Sequence, residues 1–347
     1  MFFTIEQFAK RNETEIRKRG EPENRVTTRR RFLTALGLTA LFTTRVLSQE
    51  RRQGSFFKVL LSDHETAPAP FLPDPLNWDN SAVTATWIGH ATVLLNIFGT
   101  RILTDPVFSD RVGITLLGIF TLGPKRLVAP ALKIEDLPPL DLILLSHAHM
   151  DHLDFPTLRK LDKSTPVVMA KNTSDLLSGR GWKEIHEIDW GEKISVGGVE
   201  IEALPVRHFG WRFPWEHDRS KGYQDGRSFN AYLLSKNGKQ IVFGGDTAYQ
   251  ENFRKLAERN IPVDLAIMPI GAYNPWIAVH ANPEQAVAMA NHMNAKAIMP
   301  VHWNTFTLSY EPQNEPIQRL KKAIALHSPE LALEDIGQTW RMAKANG

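Results

Sequence analysis

Ser146-His147-Ala148-His149-Met150-Asp151-His152 gathers three histidines and one carboxylate within six residues, directly behind the apolar run Leu142-Ile143-Leu144-Leu145. A wholly apolar run of that length reads as a strand covered on both faces. Residues just past such a strand project at the rim of the sheet, where ligand sites form. Neutral imidazole together with carboxylate suits a borderline divalent cation such as zinc, although manganese or iron accepts the same nitrogen and oxygen donors. His147 and His149, two residues apart, can face one cation. Asp151 and His152 can face a second, at the separation of about 3.5–4 Å found in two-metal sites. Four residues are enough for one cation and too few for two, so the remaining ligands have to come from elsewhere in the chain.

Working outward, three other polar residues stand just past strand-like runs. His208 follows Glu200–Leu204, Asp246 follows Gln240–Phe243 in Gly244-Gly245-Asp246-Thr247, and His302 follows Ala297–Pro300. Further strands are expected at Val83–Trp87, Val93–Ile97, Arg101–Thr104, Val167–Ala170, Lys193–Val196, Ser228–Ser235 and Leu265–Met268. Turns are expected at Gly99-Thr100, Gly197-Gly198 and Asn237-Gly238. Helices are expected over 250–260, 283–294 and 315–326, the second with Asn282 as N-cap, Pro283 in the first turn and Gln285 at the capping-box position. Two segments repeat. Pro139-Leu140-Asp141-Leu142-Ile143-Leu144 returns as Pro262-Val263-Asp264-Leu265-Ala266-Ile267, and Gly99–Asp105 returns as Gly238–Phe243 followed by Asp246. A hairpin ending near an aspartate, then a Pro-x-Asp-Leu strand, thus occurs twice, which predicts an internally duplicated α/β sandwich.

The chain has 347 residues, 12 histidines, no cysteine and a formal charge of +3. Absence of cysteine excludes disulfides, thiolate zinc sites, iron–sulfur clusters and a cysteine nucleophile. Residues 1–50 hold ten Lys/Arg against six acids, which leaves 31 basic and 32 acidic residues in the rest. The basicity belongs to the N-terminus, and the neutral body argues against a nucleic-acid partner. Thr28-Arg29-Arg30-Arg31-Phe32-Leu33, with the modest apolar run to Phe42, resembles a twin-arginine export signal. The expected organisation is therefore an export signal or membrane tether over 1–50, an irregular lead-in over 51–80 with Pro68, Pro70, Pro73 and Pro75, and one domain over 81–347. The expected location is the periplasm, free or tethered, reached through the twin-arginine machinery.

The chain resembles the metallo-β-lactamase fold superfamily, whose hallmark is His-x-His-x-Asp-His. Within it, the chain is most similar to the N-acylphosphatidylethanolamine-hydrolysing phospholipase D family. The residues that carry this are Trp87-Ile88-Gly89-His90-Ala91-Thr92, Leu103–Ser109, Gly123-Pro124-Lys125-Arg126, the His147–His152 motif, Gly245-Asp246-Thr247, His280-x-x-Pro283-Glu284-x-Ala286-Val287 and Val301-His302-Trp303-x-Thr305-Phe306. The resemblance implies a four-layer αβ/βα sandwich with two similar halves. It implies one zinc on His147, His149 and His208, a second on Asp151, His152 and His302, and Asp246 bridging them. Water activated between the cations would attack a phosphodiester, with a phospholipid as one substrate class. Asp151 would help to orient it and His280 would serve the leaving group. His90 and Asp105 are expected behind the ligands, as supporting groups. A lactone or acyl ester is the alternative electrophile on the same site, and a non-catalytic zinc-binding envelope protein is the alternative of another kind. The apolar stretch Val112–Phe120 is expected either to touch lipid or to pack on the body. The segment after His208, with Trp211, Phe213, Trp215 and Tyr223 among Arg207, Arg212, Arg219 and Lys221, suits an amphiphile with a phosphate head, or a structured loop over the site.

Overall fold

Three two-residue hairpins set the sheet registers. Ile97 pairs with Thr100, Val196 with Val199, and Lys236 with Lys239, so the loops are Phe98-Gly99, Gly197-Gly198 and Asn237-Gly238. All six loop residues have φ between 48° and 84°, the signature of turns whose twist matches that of the flanking strands. The first turn therefore sits one residue earlier than the expected Gly99-Thr100, because the register places Phe98 in a left-handed conformation that sequence preference disfavours.

The structure is a computed structural model that describes residues 63–116, 120–260, 262–325 and 329–343. The expected leader at 1–50 lies outside the described residues. In chain order the elements are β1 (Val83–Gly89), β2 (Thr92–Ile97), β3 (Thr100–Thr104), β4 (Ile114–Leu116), β5 (Phe120–Leu122), β6 (Leu142–Leu145), α1 (Phe155–Lys160), β7 (Val167–Ala170), β8 (Ile185–Ile188), β9 (Lys193–Val196), β10 (Val199–Pro205), β11 (Asn230–Lys236), β12 (Lys239–Phe243), α2 (Arg254–Ala257), β13 (Leu265–Pro269), α3 (Pro283–His292), β14 (Ala297–Val301), α4 (Glu315–Ile324), β15 (Glu330–Leu331) and β16 (Thr339–Arg341).

Two seven-stranded sheets result, ordered β16-β1-β2-β3-β6-β7-β8 and β15-β14-β13-β12-β11-β10-β9. In the first, β1, β2 and β3 form an antiparallel meander and β6, β7 and β8 continue in parallel from β3. In the second, β10, β11 and β12 form the meander and β13, β14 and β15 continue in parallel. This is the duplication that the repeated segments announce. A continuous core of Val, Ile, Leu, Phe and Met from both sheets fills the space between them. Bonds join the sheets near the rim, among them the Tyr232 hydroxyl donating to the Leu145 carbonyl (2.8 Å) and the Asn230 N–H donating to the Ser146 carbonyl (2.9 Å).

α3 starts with the expected reciprocal cap. Asn282 Oδ1 accepts the Gln285 N–H (2.9 Å) and Gln285 Oε1 accepts the Asn282 N–H (3.1 Å). It lies against β13, α4 and α2. The helix expected over 250–260 shrinks to the single turn Arg254–Ala257, because turns precede it and Asn260 closes it with φ 56°. The short β8, β15 and β16 have no hydrophobic period of their own and form by pairing with established neighbours. Among the described residues, no helix is long and apolar enough to cross a membrane.

Candidate metal centre

Apart from His280, which precedes α3, every site residue follows the C-terminal end of a strand. β1, β3 and β6 point the same way in one sheet, as do β10, β12 and β14 in the other. Their ends deliver His90, Asp105 and the His147–His152 loop from the first sheet, and His208, Asp246 and His302 from the second. Three of these residues sit in the left-handed backbone region, His90 (φ 54°), Asp105 (φ 31°) and His302 (φ 63°). Such strain is held only where surrounding bonds over-determine it. Here the Thr305 hydroxyl accepts the His90 N–H (2.8 Å), and the His90 carbonyl accepts both the Trp87 indole N–H (2.8 Å) and the His302 N–H (2.9 Å).

The hydrogen bonds fix the imidazole tautomers. Ser146 Oγ donates to Asp105 Oδ2 (2.5 Å), so it accepts from His147 Nδ1–H (2.8 Å) and leaves His147 Nε2 bare. His208 Nδ1–H donates to the Val279 carbonyl (2.9 Å) and leaves its Nε2 bare. Both bare nitrogens face His149 Nδ1, at 2.8 Å and 3.2 Å. One N–H cannot serve two acceptors, so lone pairs exceed protons at this point. Asp246 Oδ2 adds a carboxylate oxygen 3.9 Å from both His147 Nε2 and His208 Nε2.

A second convergence lies beside the first. His152 Nδ1–H donates to Asp105 Oδ2 (2.6 Å), and its bare Nε2 stands 3.1 Å from Asp246 Oδ2 and 3.6 Å from Asp151 Oδ2. His302 Nε2 lies 3.2 Å from Asp246 Oδ2 and 3.4 Å from Asp151 Oδ2. His152 Nε2, His302 Nε2 and Asp246 Oδ1 are buried without a hydrogen-bond partner. A lone pair held against a carboxylate in a buried site requires a proton or a cation between them. The donors therefore fit two divalent cations, with His147, His149, His208 and Asp246 around one and Asp151, His152 and His302, with Asp246, around the other.

The electrostatics agree. Burial drives His147 and His208 well below the ordinary imidazole value and His149 to about 4, so all three are neutral ligands near pH 7. Burial also opposes charge on His152 and His302, but the Asp246 and Asp151 carboxylates overturn it, lifting His152 well above its ordinary value and His302 to about 9. Burial alone would raise Asp246; His152 and His302 instead hold it well below the carboxylate range. The second half of the centre thus calls for positive charge.

A profile described as the β-lactamase superfamily domain matches residues 100–303. The chain belongs to the metallo-β-lactamase superfamily. It is 32% identical to the Caenorhabditis elegans N-acyl-phosphatidylethanolamine-hydrolyzing phospholipase D 1 over 283 residues, 75% of this chain and 76% of that protein. A metal-dependent hydrolase of Ligilactobacillus salivarius is 30% identical over 222 residues, 64% of this chain and 85% of its own. Among solved structures, a metallo hydrolase from the archaeon Ignicoccus hospitalis superposes with a TM-score of 0.54 at 21% identity, covering 76% of this chain and all but 1% of the other. The chain is a metal-dependent hydrolase of this superfamily.

The rest of this metallo-β-lactamase centre bears on the other sequence expectations. His280 Nε2 stands 3.2 Å from Asp246 Oδ2, at the open side of the clusters. Asp105 touches the outer nitrogen of His152 (2.6 Å), on the side away from Asp246. His90 Nε2, in contrast, reaches Asp151 Oδ2 at 3.0 Å. Phe209 packs tilted against His149 (4.5 Å between centroids), and Trp211 packs tilted against Phe209 (5.0 Å). Two of the four basic residues of this segment are absorbed by structure, and Arg207 and Lys221 are exposed. Arg212 is buried, its Nη1 donating to the Ala148 (2.8 Å) and Leu153 (2.9 Å) carbonyls on either side of the metal-binding loop, and Arg219 covers Trp190. No sequence signal separates the Arg212 clamp from its basic neighbours. Val112 packs with Val107 and Phe306, and Ile114 on the β4–β5 hairpin is exposed; residues 117–119 lie outside the described range.

Proposed function

We propose that the chain binds two divalent cations, zinc by donor type, and hydrolyses a phosphodiester, with phospholipids as the favoured class. The observation that carries this is the pair of His/Asp clusters meeting at Asp246, together with the relative named for hydrolysing N-acyl-phosphatidylethanolamine. When bound, two such cations polarise the ester oxygen and lower the pKa of water towards neutrality. The chain's own groups do the rest. Asp105, Ser146 and the Val279 carbonyl hold His152, His147 and His208 in the tautomer that presents the ligating nitrogen. Asp151 orients the attacking water. His280, beside Asp246, gives a proton to the departing alkoxide as the phosphorus–oxygen bond breaks. Phe209 and Trp211 supply an apolar wall next to His149 for an acyl or other hydrophobic group.

The test is a side-by-side screen of metal-analysed protein on a chromogenic phosphodiester, phospholipid vesicles, lactones and acyl esters. Diester turnover that disappears in Asp151→Asn supports the reading. Turnover of lactones or esters alone replaces it with acyl hydrolysis, and two bound metals without turnover of any substrate favour a non-catalytic envelope protein. We further propose export to the periplasm through the twin-arginine route. An Arg29/Arg30→Lys pair should hold the precursor in the cytoplasm, and normal export of that variant would overturn the proposal.

A further inference from the structure

We propose that His90 is itself a ligand of the second cation, completing a set of three imidazoles and one carboxylate with Asp151, His152 and His302. The four residues each offer a donor atom within 4.8 Å of the others, as do His147, His149, His208 and Asp246. With His90 counted, the two groups have the same composition, and Asp246 of the first also stands 3.1 Å and 3.2 Å from His152 Nε2 and His302 Nε2 of the second.

Position separates a ligand from a supporting group. Asp105 supports, because it touches the outer nitrogen of His152 and leaves the inner one bare. His90 does the opposite. Its Nε2 lies 3.0 Å from Asp151 Oδ2, the oxygen on which His302 Nε2 (3.4 Å) and His152 Nε2 (3.6 Å) also converge. Metal–ligand bonds of about 2.0–2.2 Å place neighbouring donors roughly 2.8 to 3.6 Å apart for ligand angles between about 90° and 110°, and the three separations fall in that range. The ring is 1% exposed and lies 4.1 Å from the His302 ring, with the edge of Phe306 at 5.3 Å. The left-handed backbone at His90, bonded on both sides, aims this ring inward. The duplicated topology gives the same answer: β1 and β10 open equivalent meanders, and the histidine just past β10 is His208, in the first cluster.

The inference rests on the two-cation part of the proposed function and is indifferent to which bond is cleaved. The test uses the full chain loaded with Co2+, its metal content measured, and counts the exchangeable imidazole N–H protons shifted by the paramagnetic ion. Six such resonances are expected, one of which vanishes in His90→Ala and in His90→Gln but not in His280→Ala. Affinity for the second cation, by chelator competition, should fall in both His90 variants by more than the roughly 10–100-fold that loss of an outer partner costs. His90→Gln keeps an N–H donor for Asp151, so restored affinity in that variant would reduce His90 to a positioning residue. Two cations with five resonances overturn the inference and leave the two-cation reading standing. Fewer than two cations overturn both.

Discussion

The two sheets follow one plan up to the rim and part there. In each, an aspartate at the start of the fourth strand clamps the third. Asp141 Oδ2 accepts the Arg101 N–H (2.7 Å) and its own N–H donates to the Arg101 carbonyl (2.9 Å). Asp264 does the same with Gln240 (3.0 Å and 2.8 Å). Past the third strand the halves differ. Asp105 follows β3 directly and stays behind His152, whereas Gly244-Gly245 carries Asp246 two residues further, into the space between the histidines. Two added glycines are the difference between a carboxylate that holds one histidine from behind and one that faces the bare nitrogens of two.

The largest effect should separate those two aspartates. Asp246→Asn should abolish tight binding of at least one cation, while Asp105→Asn should keep both and weaken them about 10–100-fold, as loss of an outer partner does. Metal content after dialysis, with chelator competition, measures both; equal losses would erase the distinction. Next comes Gly245→Ala. Its φ is 55°, and a Cβ there would lie 2.8 Å from the Asn230 carbonyl oxygen and from Ser146 Cβ. Strain alone costs about 1–3 kcal/mol, and chemical denaturation should register at least that much. A neutral result would mean that the rim has room the contacts deny.

The paired clamps give a smaller contrast. Asp264 is buried and also meets Lys296 (2.8 Å), while Asp141 is exposed. Asp264→Ala should cost about 1–3 kcal/mol, through the buried groups it orphans, and Asp141→Ala about 0.5–1.5 kcal/mol. The reverse order of unfolding midpoints would break the comparison. The smallest effect concerns β10 alone, where Arg259 grips Glu202 with two bonds (2.6 and 2.7 Å) and holds its carboxyl below the ordinary 4.5. A depressed carboxyl contributes stability above the unfolded value and loses it as pH falls through the folded one. Urea midpoints of Glu202→Gln should therefore lie below wild type above pH 4.5 and converge on it in more acid solution.

Much of this could be read in one dimension. The His147–His152 cluster stands out because its ligands are contiguous, and the repeated Pro-x-Asp-Leu segments mark the duplication because the same clamp needs the same residues. His208, Asp246, His280 and His302 were reachable as polar residues just past strands or before a helix. Arg212 was not, since a buried guanidinium clamping a loop is indistinguishable in sequence from a solvated one. Nor was the depth of His90, because its register past β1 depends on bonds to Thr305 and His302, more than 200 residues away.

The sequence by itself determined which donors exist, that they are nitrogen and oxygen only, and that each lies beyond a strand end, since strand period and turn chemistry are local. Tertiary structure decided which nitrogen of His147, His152 and His208 is bare, which aspartate faces inward and which ring meets Asp151. Those choices belong to hydrogen bonds closed between two sheets, and a strand end has no inside or outside until the second sheet is against it.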